Sequence, residues 1–133
     1  MSMVPTIRVM IVEDQVIVAK ELRATLERAG LAVTAVIARG EDALGMVERD
    51  NPDVVLMDLV LRGRMDGMEA TRLIKQAHPG ITVIGLSMHY DPALSQAMLE
   101  AGASAFLRKS CYVEELLQTI AATSGQRDDP PTA

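Results

Sequence analysis

Pro52-Asp53-Val54-Val55-Leu56-Met57-Asp58 is the stretch on which the fold turns. Asn51-Pro52 punctuates the chain, an apolar run with two β-branched residues follows, and a carboxylate ends it. An uninterrupted apolar run of this length fits a strand buried on both faces, as in a parallel sheet covered by helices.

The same pattern recurs along the chain. Ile7 to Val12 reads as a first strand, Val33 to Ala38 as a second, Ile81 to Leu86 as a fourth and Ala103 to Leu107 as a short fifth. Helical spacing fills the intervals. Val16, Ala19, Leu22, Leu26 and Ala29 share one helical face, and Gly30 can close that helix. Gly40 to Arg49, Met68 to Ala77, a segment from Pro92 to about Ala101, and Val113 to Ala122 supply the other helices, with Gly102 placed to cap the fourth. Five βα units with continuous apolar strands predict an α/β fold with a five-stranded parallel sheet and right-handed crossovers.

Composition narrows the function classes. The 133 residues match one domain, and 49% of them are apolar, enough for a core. Aromatics are limited to Phe106, Tyr90 and Tyr112, too few for a base-stacking platform. A net charge of -5 argues against binding of nucleic acid by these residues. The lone Cys111 excludes an internal disulfide and a multi-cysteine metal site. No apolar run is long enough to cross a membrane and no signal peptide is evident, so a soluble domain of the cytoplasm is expected. The expected organisation is an extension over 1–6, the domain over 7–122, and a disordered tail or linker over 123–133.

In such a sheet, chemistry gathers at the carboxyl ends of the strands. Glu13 and Asp14 follow the first strand, Asp58 the third, Ser87 and Met88 the fourth, and Arg108 and Lys109 the fifth. Three carboxylates placed together need a cation, a proton or a lysine. Oxygen ligands without His or Cys suit Mg²⁺, with Mn²⁺ a substitute. A carboxylate can also act as a nucleophile and form an aspartyl phosphate. Ser87 can then hydrogen-bond one phosphoryl oxygen and Lys109 can pair with another.

Each residue taken alone has a plainer reading. Asp14 can be a helix cap, Glu13 and Lys109 solvated side chains, Ser87 a cap or loop hydroxyl, and Phe106 simple core. His89 reads as a surface residue and His78 as a helix-end residue before Pro79. Cys111 follows Arg108-Lys109, which can lower its pKa, although a redox role has little support. Met57, Met68 and Met98 sit on apolar faces and read as core. No G-x-G-x-x-G follows the first strand, which excludes a dinucleotide fingerprint there.

The chain resembles the receiver domain of two-component response regulators over residues 7 to about 122. The resemblance is carried by Ile11-Val12-Glu13-Asp14, Pro52 to Leu59, Met65 to Ala70, Leu86-Ser87-Met88-His89 and Gly102 to Lys109. It looks most like the subclass with a C-terminal helix-turn-helix output domain. The resemblance implies a flavodoxin-like (βα)5 fold with strand order 2-1-3-4-5. It also implies Asp58 as phosphoacceptor, and Glu13, Asp14, Asp58 and the Val60 carbonyl as the Mg²⁺ site. By the same resemblance Ser87 and Phe106 form the switch and Lys109 contacts the phosphoryl group. The implied partners are a sensor histidine kinase or phosphotransfer protein, and a second copy through the fourth helix, fifth strand and fifth helix. Such a domain assists its own phosphorylation and dephosphorylation without being a conventional multiple-turnover enzyme.

Two departures stand out. Ser110 follows the lysine where the family usually has proline, often with a cis bond; a non-proline cis bond costs roughly 2.5–4 kcal/mol, which favours trans without deciding the isomer. The loop after Asp58, Leu59 to Gly67, is one residue longer than usual and carries Arg62 and Arg64. A phosphohydrolase with an aspartyl nucleophile usually has a second Asp two positions on, where this chain has Val60. A pure interaction module would not need Asp58, Ser87 and Lys109 together. The eleven residues after Ala122 cannot hold a helix-turn-helix, so the chain reads as a stand-alone receiver or the front of a longer regulator.

Overall fold

Five parallel strands form the centre of the computed structural model, which describes residues 6–61, 63–89 and 91–124. They are β1 (Arg8–Val12), β2 (Ala32–Ile37), β3 (Val54–Asp58), β4 (Thr82–Ser87) and β5 (Ala105–Arg108). The helices are α1 (Val16–Arg28), α2 (Ala43–Asp50), α3 (Gly67–Ala77), α4 (Pro92–Glu100) and α5 (Val113–Ser124). A 3-10 turn, Gly40–Asp42, precedes α2 and takes the place of the first turn expected for one longer helix.

The strand order is β2-β1-β3-β4-β5, the flavodoxin-like order implied by the resemblance. Alternation along each strand divides the core in two. Met10, Val12, Val55, Met57 and Val83 pack with Ala43 and Val47 of α2 and Ala70 and Ile74 of α3. Val9, Ile11, Val54, Leu56, Ile84 and Leu86 pack with Leu26 of α1 and Leu116 and Ile120 of α5. Every position of β3 is therefore buried, which is why its sequence shows no polar alternation. A third, smaller cluster seats Met98 of α4 against Leu59 and Ala103, with Met68 and Phe106 beside it. Met57 and Met98 are core as expected, and Met68 is half-buried.

Local chemistry sets the boundaries. Asp66 caps α3 by accepting the Glu69 N–H at 2.9 Å, and Asp91 caps α4 by accepting that of Ala93 at 2.8 Å, with Pro92 in the first turn. The chain leaves α1 and α4 through Gly30 and Gly102, both with positive φ. The last helix runs to Ser124, two residues past the expected end at Ala122. The Thr123 carbonyl accepts the Thr82 hydroxyl at 3.2 Å, which ties that turn to the base of β4. The rest of the expected tail, 125–133, and the first five residues of the expected extension lie outside the described residues.

Register brings the carboxyl ends level. Val12 pairs with Met57, Asp58 with Leu86, and Ser87 with Arg108. Residues at or just beyond these positions share one edge of the sheet.

Candidate functional site

Glu13 leaves β1 with its backbone still in the sheet, the N–H donating to the Ile37 carbonyl at 2.8 Å. Its side chain turns inward and is 3% exposed as a residue. One oxygen, Oε2, accepts the Gln15 N–H at 3.0 Å, and the other, Oε1, lies 2.5 Å from Lys109 Nζ. Asp58 ends β3 and is equally buried. Its Oδ1 accepts the Val60 N–H at 3.2 Å, and its Oδ2 accepts from Lys109 Nζ at 3.0 Å. Asp14 is half-buried at the same edge. Glu13, Asp14 and Asp58 each offer an oxygen within 4.8 Å of the others.

Two of the plainer readings are thereby corrected. Glu13 is a buried ion-pair partner and not a solvated loop residue. Lys109 is likewise no solvated lysine: its side chain is 8% exposed and bridges two carboxylates. Burial works to lower the Lys109 pKa, but the contacts with Glu13 and Asp58 outweigh it and raise the ammonium above its usual 10.5. The backbone supports this placement, since the Lys109 N–H donates to the Ser87 carbonyl at 2.7 Å and continues the β4–β5 ladder. Asp14 is not the cap of α1; Gln15 holds that position.

Ser87 is buried at the end of β4, and its Oγ accepts the His89 N–H at 3.3 Å. It is not the cap of α4, a place taken by Asp91. His89 is exposed, as read from its isolation. Phe106 is half-buried and packs against the Leu59–Met98–Ala103 cluster, so its ring faces α4. Val60 is 75% exposed at the mouth of the site. The Lys109–Ser110 bond, which the sequence leaves open between cis and trans, is trans. Arg64 is exposed, and Arg62 lies outside the described residues.

His78 sits at the end of α3 with Nε2 3.2 Å from Glu48 Oε2, a structural position as expected. The expectation for Cys111 is reversed. Burial first, and the Glu115 carboxylate second, push its thiol pKa up, while the neighbouring Lys109 ammonium is committed to Glu13 and Asp58.

In the sequence Gly67 stands out only through its motif, and Glu41 does not stand out at all. A Cβ on Gly67 would lie 2.1 Å from the Asp58 carbonyl oxygen, so the first residue of α3 closes directly on the site backbone. The Gly67 N–H donates to the Leu59 carbonyl at 3.1 Å. The available signal was a glycine at the start of a helix, nine residues after the end of a buried strand.

The donor set suits a hard divalent cation. Three carboxylates face one ammonium, leaving excess negative charge at a partly open edge, and all the side-chain donors are oxygens. This arrangement at the carboxyl edge of a 2-1-3-4-5 sheet can bind a cation beside a buried carboxylate nucleophile. Residues 9–121 match the family of the Response regulator receiver domain. The chain belongs to that family. Response regulator GacA of Pseudomonas viridiflava is 33% identical over 91% of this chain and 57% of its own length. Response regulator UvrY of Escherichia coli strain K12 is 34% identical over 91% of this chain and 56% of its own. The chain thus spans little more than half the length of these curated relatives. A crystal structure of a LuxR-family two-component response regulator from Aurantimonas sp. SI85-9A1 superimposes with a TM-score of 0.86 at 38% identity, covering 92% of this chain and 88% of that one. This receiver domain is a phosphoacceptor module whose acidic cluster is typical of a phospho-aspartyl site and consistent with phosphorylation and dephosphorylation of its own carboxylate. Among the described residues, no helix is long and apolar enough to cross a membrane.

Proposed function

We propose that Asp58 receives a phosphoryl group from a phosphohistidine on a sensor histidine kinase or phosphotransfer protein, and that the resulting acyl phosphate switches protein contacts. The observation that supports this most is the position of Lys109 Nζ between Glu13 and Asp58. Glu13 and Asp58 share that cation, and of the two it is Asp58 that ends the central strand β3, with Glu13 and Asp14 beside it, which supports Asp58 as the acceptor.

In the transfer, an Asp58 carboxylate oxygen attacks phosphorus, the phosphorus–nitrogen bond breaks, and the donor imidazole leaves with its electron pair. Glu13, Asp14, Asp58 and the Val60 carbonyl would hold Mg²⁺ or Mn²⁺. When bound, the cation supplies charge neutralisation for the phosphoryl oxygens. Lys109 is already at Asp58 Oδ2 and offers its ammonium to the incoming group. The Val60 N–H orients Oδ1. Ser87, now engaged by the His89 N–H, is the hydroxyl that moves toward the phosphoryl group, and Phe106 follows it. The readout surface is α4, β5 and α5, through which two copies associate. The resemblance to helix-turn-helix regulators supports a place in a transcriptional regulator in the cytoplasm, with DNA contacts made by residues other than these.

The test is incubation with acetyl phosphate and Mg²⁺, followed by intact-mass spectrometry. The expected result is one added phosphoryl group on the wild type and none on Asp58→Asn. An unchanged mass, or equal labelling of both proteins, would overturn the assignment.

A further inference from the structure

The loop after Asp58 is longer than the family resemblance predicts, and the structure shows what its far end rests on. Gly40 and Glu41 belong to the turn after β2, a different crossover from the one that carries Asp58. The two segments interlock at two points. The Arg64 N–H donates to Glu41 Oε2 at 3.3 Å, and a Cβ on Gly63 would lie 2.7 and 2.8 Å from the two Glu41 carboxylate oxygens. One turn back, a Cβ on Gly40 would lie 2.7 Å from the Met65 carbonyl oxygen and 3.3 Å from that of Asp66. Gly63 also has a φ of 102°, a backbone state that side chains rarely adopt. Each segment thus presents a bare Cα where the other brings a carboxylate or a carbonyl.

The interlock connects to the site at both ends of the loop. On one side Val60 donates its N–H to Asp58 Oδ1. On the other, Gly67 closes on the Asp58 carbonyl and the Leu59 carbonyl. The Glu41 carboxyl pKa is held below its usual 4.5, first by its own backbone N–H and then by that of Arg64, so the acceptor is ionised when the domain works.

We propose that Glu41 is a positioning residue for phosphoryl transfer at Asp58. Its carboxylate holds the 63–65 backbone and thereby fixes Val60 and the carbonyl edge beside the acidic cluster. The proposal rests on Asp58 as phosphoacceptor. A reaction that depends on in-line approach and on a cation at one edge is sensitive to displacements of about 1 Å, which can cost up to about a hundredfold in rate.

The experiment compares wild type, Glu41→Ala and Glu41→Gln in acetyl phosphate labelling across a Mg²⁺ titration. Hydrogen exchange of the 59–66 segment and a urea midpoint are measured on each protein. Glutamine keeps an oxygen acceptor at the same reach and loses the charge. Expected for Glu41→Ala are labelling slowed about fivefold, a several-fold higher Mg²⁺ concentration at half-maximal rate, and faster exchange confined to 59–66. Glu41→Gln returns all three to within about twofold of wild type. Wild-type behaviour of Glu41→Ala overturns the proposal. So does equal impairment of both variants, which would assign the effect to charge, or exchange that rises across the whole domain with the urea midpoint falling, which would assign it to stability. Failure of the wild type itself to label overturns the phosphoacceptor reading, a result separable from all of these.

Discussion

Lys109 Nζ lies 3.0 Å from Asp58 Oδ2, although the two residues are 51 positions apart. The ammonium also reaches Glu13, from the far side of the sheet's centre. One cation at the end of β5 therefore compensates buried charge from the ends of β1 and β3. Most of what can be predicted for this domain follows from that economy.

Removing the ammonium should be costly. Lys109→Met leaves Glu13 and Asp58 buried without their cation, a loss of roughly 3–5 kcal/mol by comparison with other broken buried pairs. Urea unfolding in EDTA reads this directly. Added Mg²⁺ should recover part of it by binding only the folded cluster. A variant as stable as wild type in EDTA would mean that the pair contributes nothing.

The same contact has a pH signature. The Lys109 pKa is raised in the folded state, so the folded chain binds more protons than the unfolded chain above pH 10.5. The stabilisation is complete below 10.5 and is lost as pH rises through the folded pKa. The urea midpoint of wild type should therefore converge on that of Lys109→Met in strongly alkaline buffer and stay apart from it at pH 7 to 9. Parallel curves up to the highest pH would contradict the assignment.

Neutralising the nucleophile should act in the opposite direction. Glu13, Asp14 and Asp58 lie within 4.8 Å of one another, and Asp58→Asn removes one of the three charges. Coulomb repulsion at this range is worth a few kcal/mol at an effective dielectric near 20, and the lost attraction to Lys109 offsets part of it. A net gain of about 1–2 kcal/mol is expected in metal-free buffer, with a Mg²⁺ affinity at least about tenfold weaker. Calorimetric melting with and without Mg²⁺ checks both, and a destabilised variant would count against the repulsion argument.

Two glycines make steric predictions. Gly67→Ala forces a methyl to 2.1 Å from the Asp58 carbonyl oxygen and 3.0 Å from the Leu59 Cα, both backbone atoms that cannot swing away. Its cost should exceed about 3 kcal/mol, with loss of labelling at Asp58. Circular dichroism melts and intact mass measure the two effects.

Gly85 is the gentler case. A Cβ there meets Met98 Cε at 2.8 Å and Phe106 Cδ1 at 2.9 Å, both side-chain atoms with room to move. Gly85→Ala should cost about 1–3 kcal/mol and shift the ring resonances of Phe106, the one phenylalanine in the chain. Labelling at Asp58 should stay within about twofold of wild type. Unchanged ring resonances would show that the strand–α4 interface has space to spare.

Much of this was legible in the sequence. Continuous apolar runs such as Val54 to Met57 can be satisfied only by burial on both faces, and their alternation with helical spacing fixed a parallel α/β sheet. Carboxylates placed directly after such runs pointed to the carboxyl edge, because strand ends and not helix faces carried them. What those charges do there is a matter of tertiary structure. Glu13 and Lys109 each look solvated when read locally, since burial of a charge depends on a partner that local pattern does not supply. The raised thiol pKa of Cys111 is likewise tertiary in origin: burial raises it first and the Glu115 carboxylate second, while Lys109, two positions earlier, is held by Glu13 and Asp58. The contact between crossovers, Glu41 with Arg64, and the closure of one loop on itself, Gly67 on Asp58, have no periodicity and leave no pattern in the chain. Local periodicity thus determined the elements and their sheet, whereas register and long-range packing alone decided which charges met and how the loop around Asp58 is held.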